Sequence, residues 1–199
     1  MSEKSVDPSK RRFLVTMASA AGGVATLGVA APLVMSMMPS ARAKAAGAPV
    51  EVDLDKIEPG MLLAVEWRGK PVWVVNRTKE MLDMLAKHDG KLTDAASENA
   101  TQQPEYCKNP HRSIKPEYLI VVGICTHLGC SPTFRKELGP ADLGADWPGG
   151  WFCPCHGSRF DLAARVFNGS PAPTNLIIPP HKYLSDTKVL IGVDQGAAA

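Results

Sequence analysis

The sequence predicts a mainly β, antiparallel domain carried on a single N-terminal transmembrane helix. Three observations point to it. An uncharged run of 26 residues, Phe13 to Met38, follows a small cluster of positive charge. Beyond it, short runs of β-branched and aromatic residues are broken repeatedly by Gly, Pro and Asn, as in a sandwich or barrel of short strands. Four of the five cysteines and two of the five histidines fall in two six-residue boxes, Cys125–Cys130 and Cys153–Ser158, which suits loops at one end of such a domain. The 199 residues allow one domain plus appendages, and nothing repeats at a fixed period.

The first element is the apolar run. As a helix it would extend roughly 39 Å, enough to cross a hydrocarbon core of roughly 30 Å with tilt. Its glycines and Pro32 would weaken a soluble helix but are tolerated in lipid, where water does not compete for the backbone. Ser9-Lys10-Arg11-Arg12-Phe13-Leu14 precedes it, and paired arginines before an apolar run read as a twin-arginine export signal. Positive charge stays on the cytoplasmic side, so the body is expected outside it. Ala41-Arg42-Ala43 would also suit a cleavage site, but the apolar run is longer than a signal peptide needs, so retention as an anchor is expected. The organisation predicted is residues 1–12 as a cytoplasmic N-terminus with the export signal, 13–38 as a bilayer anchor, 39–49 as a flexible, Ala-rich tether, and 50–199 as a periplasmic domain. Residues 1–45 have a net charge of +4 against +2 for the whole chain. The body is therefore slightly acidic and lacks the basic face that nucleic acid requires.

The remaining elements follow in order. Val50, Val52 and Leu54 alternate with acidic residues, as in a half-buried strand. Met61 to Trp67 and Val72 to Val75 flank Arg68-Gly69-Lys70, a hairpin pattern. Thr78 is placed to cap a short helix through about Lys87, with Met81, Leu82 and Leu85 on one face. Residues 88–116 are polar and read as long loops. Tyr118 to Ile124 is an unbroken apolar run, a buried strand leading directly into Cys125. Further strands are expected at Gly150 to Cys153, Arg159 to Leu162, Ala164 to Phe167 and Lys188 to Val193.

The boxes carry the chemistry. Cys125, His127 and Cys130 form C-x-H-x2-C; Cys153, Cys155 and His156 form C-x-C-H. Two facing loops could each offer one thiolate and one imidazole. Two sulfurs and two nitrogens suit structural zinc, although zinc-finger spacing separates the cysteine pair from the histidine pair, and here each loop mixes them. They also suit a [2Fe–2S] centre in which two cysteines hold one iron and two histidines the other. Two cysteines are left over, and an exported domain lies where disulfides persist.

CTHLGC and CPCHGS resemble the paired signatures of the Rieske iron–sulfur proteins of cytochrome bc complexes, and "SIKPEYLIVVGICTHLGCSP" looks like the bacterial ubiquinol–cytochrome c reductase subunit. The order of twin arginine, apolar segment, Ala-rich tether and small β head is also that of bacterial members. The resemblance implies a Rieske-type fold for the head and one [2Fe-2S] cluster, with Cys125 and Cys153 on the inner iron and His127 and His156 on the outer. It implies a Cys130–Cys155 disulfide, whose loop of about 25 residues would contribute roughly 3 kcal/mol in the chain-entropy model. His156 would contact quinol, with His127 nearby, and a deprotonated imidazole would take a proton as the cluster takes an electron. Leu128 would form part of an apolar docking tip. The implied partners are a cytochrome b subunit, a c-type cytochrome, quinol and the lipid bilayer, in a dimeric complex of the inner membrane; the activity is that of a quinol–cytochrome-c reductase, of which this is one subunit.

Further expectations rest on the same resemblance. Ser158 would donate its hydroxyl to a bridging sulfide. Many relatives read C-H-G-S-x-Y, with the tyrosine donating to a cysteine ligand; here Phe160 occupies that place and has no donor, which predicts a lower midpoint potential. Ser170-Pro171-Ala172-Pro173 resembles the Pro-rich loop covering the cluster, although it starts with Ser rather than Gly. Cys107 is read as a free structural thiol. The competing functions are the Rieske small subunit of another exported oxidoreductase, such as an arsenite oxidase, and a structural zinc module; a ring-hydroxylating oxygenase would need a mononuclear iron domain for which the chain has little room.

Overall fold

The computed structural model describes residues 7–195; residues 1–6, including Lys4 of the expected cytoplasmic terminus, and 196–199 lie outside the described residues. The chain divides into two units between Lys44 and Ala45.

The first unit is helical. Helix α1 spans Pro8–Ser36, 29 residues or about 43 Å. It starts five residues before the apolar run, because Asp7 caps it by accepting from the backbone N–H of Ser9 at 2.9 Å and Pro8 takes the first helical position, where a missing N–H costs nothing. The paired arginines thus lie in its first turns. With a mean hydropathy of 1.7, it belongs to the one helix among the described residues long and apolar enough to cross a membrane. Within 39–49, Ala41–Ala46 form a short helix, α2, whose start is capped by the Ser40 hydroxyl accepting from Ala43 N–H at 3.1 Å. The segment read as a flexible tether therefore contains six helical residues.

Among its described residues the second unit holds nine strands in three antiparallel three-stranded sheets: β1 (Val50–Asp53), β2 (Leu62–Trp67), β3 (Lys70–Asn76), β4 (Tyr118–Val122), β5 (Thr133–Arg135), β6 (Gly150–Phe152), β7 (Arg159–Phe160), β8 (His181–Tyr183) and β9 (Lys188–Ile191). The strand orders are β1-β9-β8, β2-β3-β4 and β5-β6-β7. The β2–β3 hairpin closes through Arg68 and Gly69, both at positive φ (53° and 69°), the two-residue turn whose twist matches the strands it joins.

The sheet β2-β3-β4 is central, which explains its unbroken apolar runs: a strand buried on both faces cannot alternate with polar residues. Val72, Val74, Ile120 and Val122 face one core with Val52, Leu54, Val189 and Ile191. The intervening Trp73, Val75, Leu119 and Val121 face the other, which contains Cys125, Cys153, Trp151, Phe160 and Ala172. The second core is the floor of the Cys-His loops.

Most expected elements are present with shorter bounds. Helix α3 is Lys79–Leu85, capped by Thr78, and continues as a 3-10 turn over Ala86–Lys91. Leu54 belongs to a 3-10 turn after β1. The expected strand at Ala164 to Phe167 is not one. The Asp161 carboxylate accepts from the N–H groups of Ala163 and Arg165 at 2.9 and 2.7 Å, closing a tight turn with Ala164 at φ 60°. Only the bridge Phe160↔Val166 and a second, Leu92↔Phe167, survive from the apolar pattern. Strands β5 and β8 were not expected; each is three residues long, too short for periodicity to register.

Candidate metal centre

Each box forms the same loop. In the first, the N–H of Cys125 donates to the carbonyl of Cys130 at 2.7 Å and Gly129 N–H to the carbonyl of Cys125 at 3.0 Å. In the second, Cys153 N–H donates to Ser158 at 2.8 Å and Gly157 N–H to Cys153 at 2.9 Å. The boxes thus align position by position, C-x-x-x-G-x on C-x-x-x-G-x. Gly129 and Gly157 hold φ of 86° and 81°, the left-handed region that side chains disfavour; this requirement fixes glycine at the same place in both.

The strands deliver these loops. Cys125 follows β4 and Cys153 follows β6 directly, and both cysteines are buried. They are free thiols packed in the same core. Burial pushes the Cys153 thiol up; the adjacent Cys125 adds to the rise, while backbone N–H groups of Cys155 and His156 pull the other way. A thiolate there needs a cation for company. Farther out along the loops, the rings of His127 and His156 meet edge to face with centroids 4.8 Å apart. His156 and Leu128 are exposed, Leu128 at 71%. The site is polarised: sulfur inside, imidazole toward solvent.

Cys130 and Cys155 form a disulfide linking the loops, as expected. Their sulfurs and that of Cys153 are mutually within 4.8 Å, but a bonded disulfide offers no thiolate, so the three do not form a metal site. The donors left are Cys125, Cys153, His127 and His156. They fit a [2Fe–2S] group. Nδ1 of His127 is shielded from solvent and has no hydrogen-bond partner among the described residues; a buried nitrogen without a partner is costly unless it is a ligand.

The Pro-rich segment is attached to both loops. The Ser158 hydroxyl accepts from Ala172 N–H at 3.0 Å, and its own proton has no acceptor among the described residues. Thr126 donates to the carbonyl of Thr174 at 2.7 Å. Ser170 accepts from Arg159 N–H at 3.2 Å, so the serine that departs from the family's glycine is itself a fastener. Phe160 is fully buried opposite Trp151. Cys107 is free and fully buried in the core under the loops, its thiol pushed up to about 12 by that burial.

Sequence reasoning missed three buried arginines. Arg112 donates to the carbonyls of Ala163, Ala164, Gln102 and Leu176 and to the Gln103 side chain. Arg77 bonds the carbonyls of His111, Pro116 and Leu162 and the Ser113 hydroxyl. Arg165 pairs with Asp161 and Asp89. They bind the polar stretch after α3 to the turn beneath the second loop. Burial draws Arg112 down to about 10 and Arg77 to about 9, so both stay charged at neutral pH. The available signal was weak: Asp161 stands four residues before Arg165, Arg112 has no carboxylate within four residues on either side, and nothing in the sequence states that the three are internal.

Two matched loops over a β sandwich, offering paired thiols at the base and paired imidazoles at the tip and joined by a disulfide, define an iron–sulfur electron carrier of Rieske type. Residues 50–180 match the family model of the Rieske [2Fe-2S] domain, and residues 1–40 match that described as the ubiquitinol-cytochrome C reductase Fe-S subunit TAT signal. The chain is 64% identical over 198 residues to the ubiquinol-cytochrome c reductase iron-sulfur subunit of Allochromatium vinosum, covering all of this chain and 95% of that one. It is 38% identical to the subunit of the same name from Blastochloris viridis, over 96% of this chain and 97% of that one. With that of Bradyrhizobium diazoefficiens it shares 41% identity over 93% and 95%. The chain belongs to the family of ubiquinol–cytochrome c reductase iron–sulfur subunits, and carries one [2Fe–2S] cluster on a head preceded by an apolar helix and an export signal.

Proposed function

We propose that Cys125 and Cys153 bind the inner iron of the cluster and His127 and His156 the outer one, and that this subunit carries electrons from quinol to a c-type cytochrome within a cytochrome bc complex. When bound, the cluster supplies a one-electron acceptor. The protein's own residues do the rest. The buried cysteines keep the sulfur end from water. His156, at the exposed end, accepts a hydrogen bond and then a proton from a quinol hydroxyl, with His127 beside it. Leu128 places an apolar side chain against a partner surface on cytochrome b. Ser158, fixed by Ala172 N–H, keeps its hydroxyl proton for an acceptor on the cluster side. Burial of Cys125 and Cys153 together with solvent access at His156 is the observation that carries this reading, because it turns the imidazole end toward a reductant.

Residues 13–38 anchor the chain in the inner membrane, residues 39–49 tether the head with movement at the ends of α2, and the head lies in the periplasm. The complex is dimeric. The test is a pull-down of the tagged chain from its native membrane. The expected result is co-purification with b- and c-type haem, iron and acid-labile sulfide in equal amounts, and an anisotropic Rieske EPR signal lost in His156→Ala. Zinc in place of iron, or absence of b-type haem, would overturn it.

A further inference from the structure

The three sulfurs of Cys130, Cys153 and Cys155 lie within 4.8 Å of one another. Two form a disulfide and the third is a free thiol. A thiol placed beside a disulfide is the reactant pair of thiol–disulfide exchange. We infer that Cys153 is a latent exchange partner of the Cys130–Cys155 bond, kept inert by iron, and that loss of the cluster rearranges the disulfide to Cys130–Cys153. This rests on the proposed role of Cys153 as a ligand.

The step balances without an external oxidant. The Cys153 sulfur attacks Sγ of Cys130; the new sulfur–sulfur bond forms as the old one breaks. Cys155 leaves as a thiolate and takes up the proton that Cys153 gave up. Attack on Cys155 instead would join residues separated only by Pro154, closing a small ring through a residue whose φ is fixed, so Cys130 is the target. The new loop is two residues shorter than the old, and closure entropy hardly distinguishes loops so similar in length. Burial does distinguish the thiols. Cys153 is buried whereas Cys155 is exposed, so exchange places a disulfide inside and a free thiol in water. The other thiols are less well placed: neither Cys107 nor Cys125 belongs to the three-sulfur group.

The consequence is an order of maturation. A head whose disulfide closes before iron arrives would lose a ligand to exchange, so the cluster must precede the disulfide. After iron loss, the rearranged bond would block reloading until a reductant opens it.

The test uses the full chain in detergent. The as-isolated protein is first alkylated with N-ethylmaleimide and its iron and sulfide are measured. Protection of Cys125 and Cys153 with iron present supports the ligand reading, and their labelling with iron present overturns that reading alone. A second portion is stripped with an iron chelator without reductant, alkylated, and mapped by non-reducing peptide mass spectrometry. The expected result is a Cys130–Cys153 linked peptide at tenfold or more over the as-isolated sample, with Cys155 alkylated in step. A Cys107→Ser variant should give the same map. Retention of Cys130–Cys155 as the sole linkage overturns the inference, as does scrambling that links Cys107 or Cys125 as often as Cys153, which would report general unfolding. A last arm offers iron and sulfide to the stripped chain: recovery of the visible spectrum only after dithiothreitol is expected, and equal recovery without it counts against the exchange.

Discussion

Arg112→Met removes the most heavily bonded side chain beneath the cluster loops while keeping an unbranched apolar stem. Its guanidinium is fully buried and serves five acceptors. Two of these keep another donor: the carbonyl of Ala164 accepts from Leu176 N–H and that of Gln102 from Ile178 N–H. The carbonyls of Ala163 and Leu176 and the Gln103 side-chain oxygen have no other donor among the described residues. Orphaning a buried acceptor costs about 1–3 kcal/mol, so three would cost about 3–9. Relief from burying a guanidinium opposes this by several kcal/mol, and Nε of Arg112 is itself unpartnered. The relief offsets part of the orphaning cost, and the net expectation is a loss of about 2–5 kcal/mol. That is a large part of the stability of an ordinary domain. The assay is urea unfolding of the full chain in detergent, followed by far-UV circular dichroism and by visible absorption of the cluster. The cluster signal should be lost at lower urea than the backbone signal, since the bonds removed converge on the turn below the second loop. A change under about 1 kcal/mol, or coincident loss of both signals at the wild-type midpoint, would refute the reasoning.

Other expectations are narrower. Phe160→Tyr should raise the cluster midpoint by adding a donor where this chain has none; an unchanged value in protein-film voltammetry would show that the hydroxyl does not reach a sulfur. Ser158→Ala should lower the midpoint and also free Ala172 N–H, weakening the Pro-rich segment by about 1–3 kcal/mol, seen as faster amide exchange at Ala172. Gly123→Ala would drive a Cβ into the Trp73 ring, and since Trp73 stacks on Trp151 with centroids 6.0 Å apart, the cost should be about 1–3 kcal/mol with an altered near-UV spectrum. Replacing both Cys130 and Cys155 by Ser should lower stability by about 3.5 kcal/mol, from a 25-residue loop, and shorten the lifetime of the cluster in air.

The sheet and the site were legible in the sequence for different reasons. Tyr118 to Ile124 and Val72 to Val75 stood out because burial on two faces demands continuous apolar residues. The boxes stood out because cysteine, histidine and glycine are each hard to replace when a side chain must bind metal or a backbone must turn left-handed. The stretch from Ala86 to Pro116 was opaque. It is held in place by hydrogen bonds from Arg77, Arg112 and Arg165 to backbone carbonyls, and a carbonyl acceptor has no letter in the sequence. Ala164 to Phe167 misled because its apolar residues are buried individually around a turn fixed by Asp161, not along a strand. The serine-for-glycine departure at Ser170 looked like a weakness in the match and is in fact a bond to Arg159.

The two loops are alike in backbone but not in content, and the difference gives the site its direction. Aligned by their hydrogen bonds, His127 matches Cys155, Leu128 matches His156, and Cys130 matches Ser158. The disulfide therefore joins the sixth position of one loop to the third of the other. The equivalent cross-pair, His127 and Ser158, is left unlinked: among the described residues one has a buried Nδ1 without a partner and the other a hydroxyl proton without an acceptor. A covalent bond closes one flank and polar atoms line the other. At the fourth position, an exposed leucine in one loop stands where the other has an exposed imidazole. An apolar group is thus built into the same rim as the group proposed to receive a proton, so a surface that docks against Leu128 is brought to His156 by the loop geometry itself.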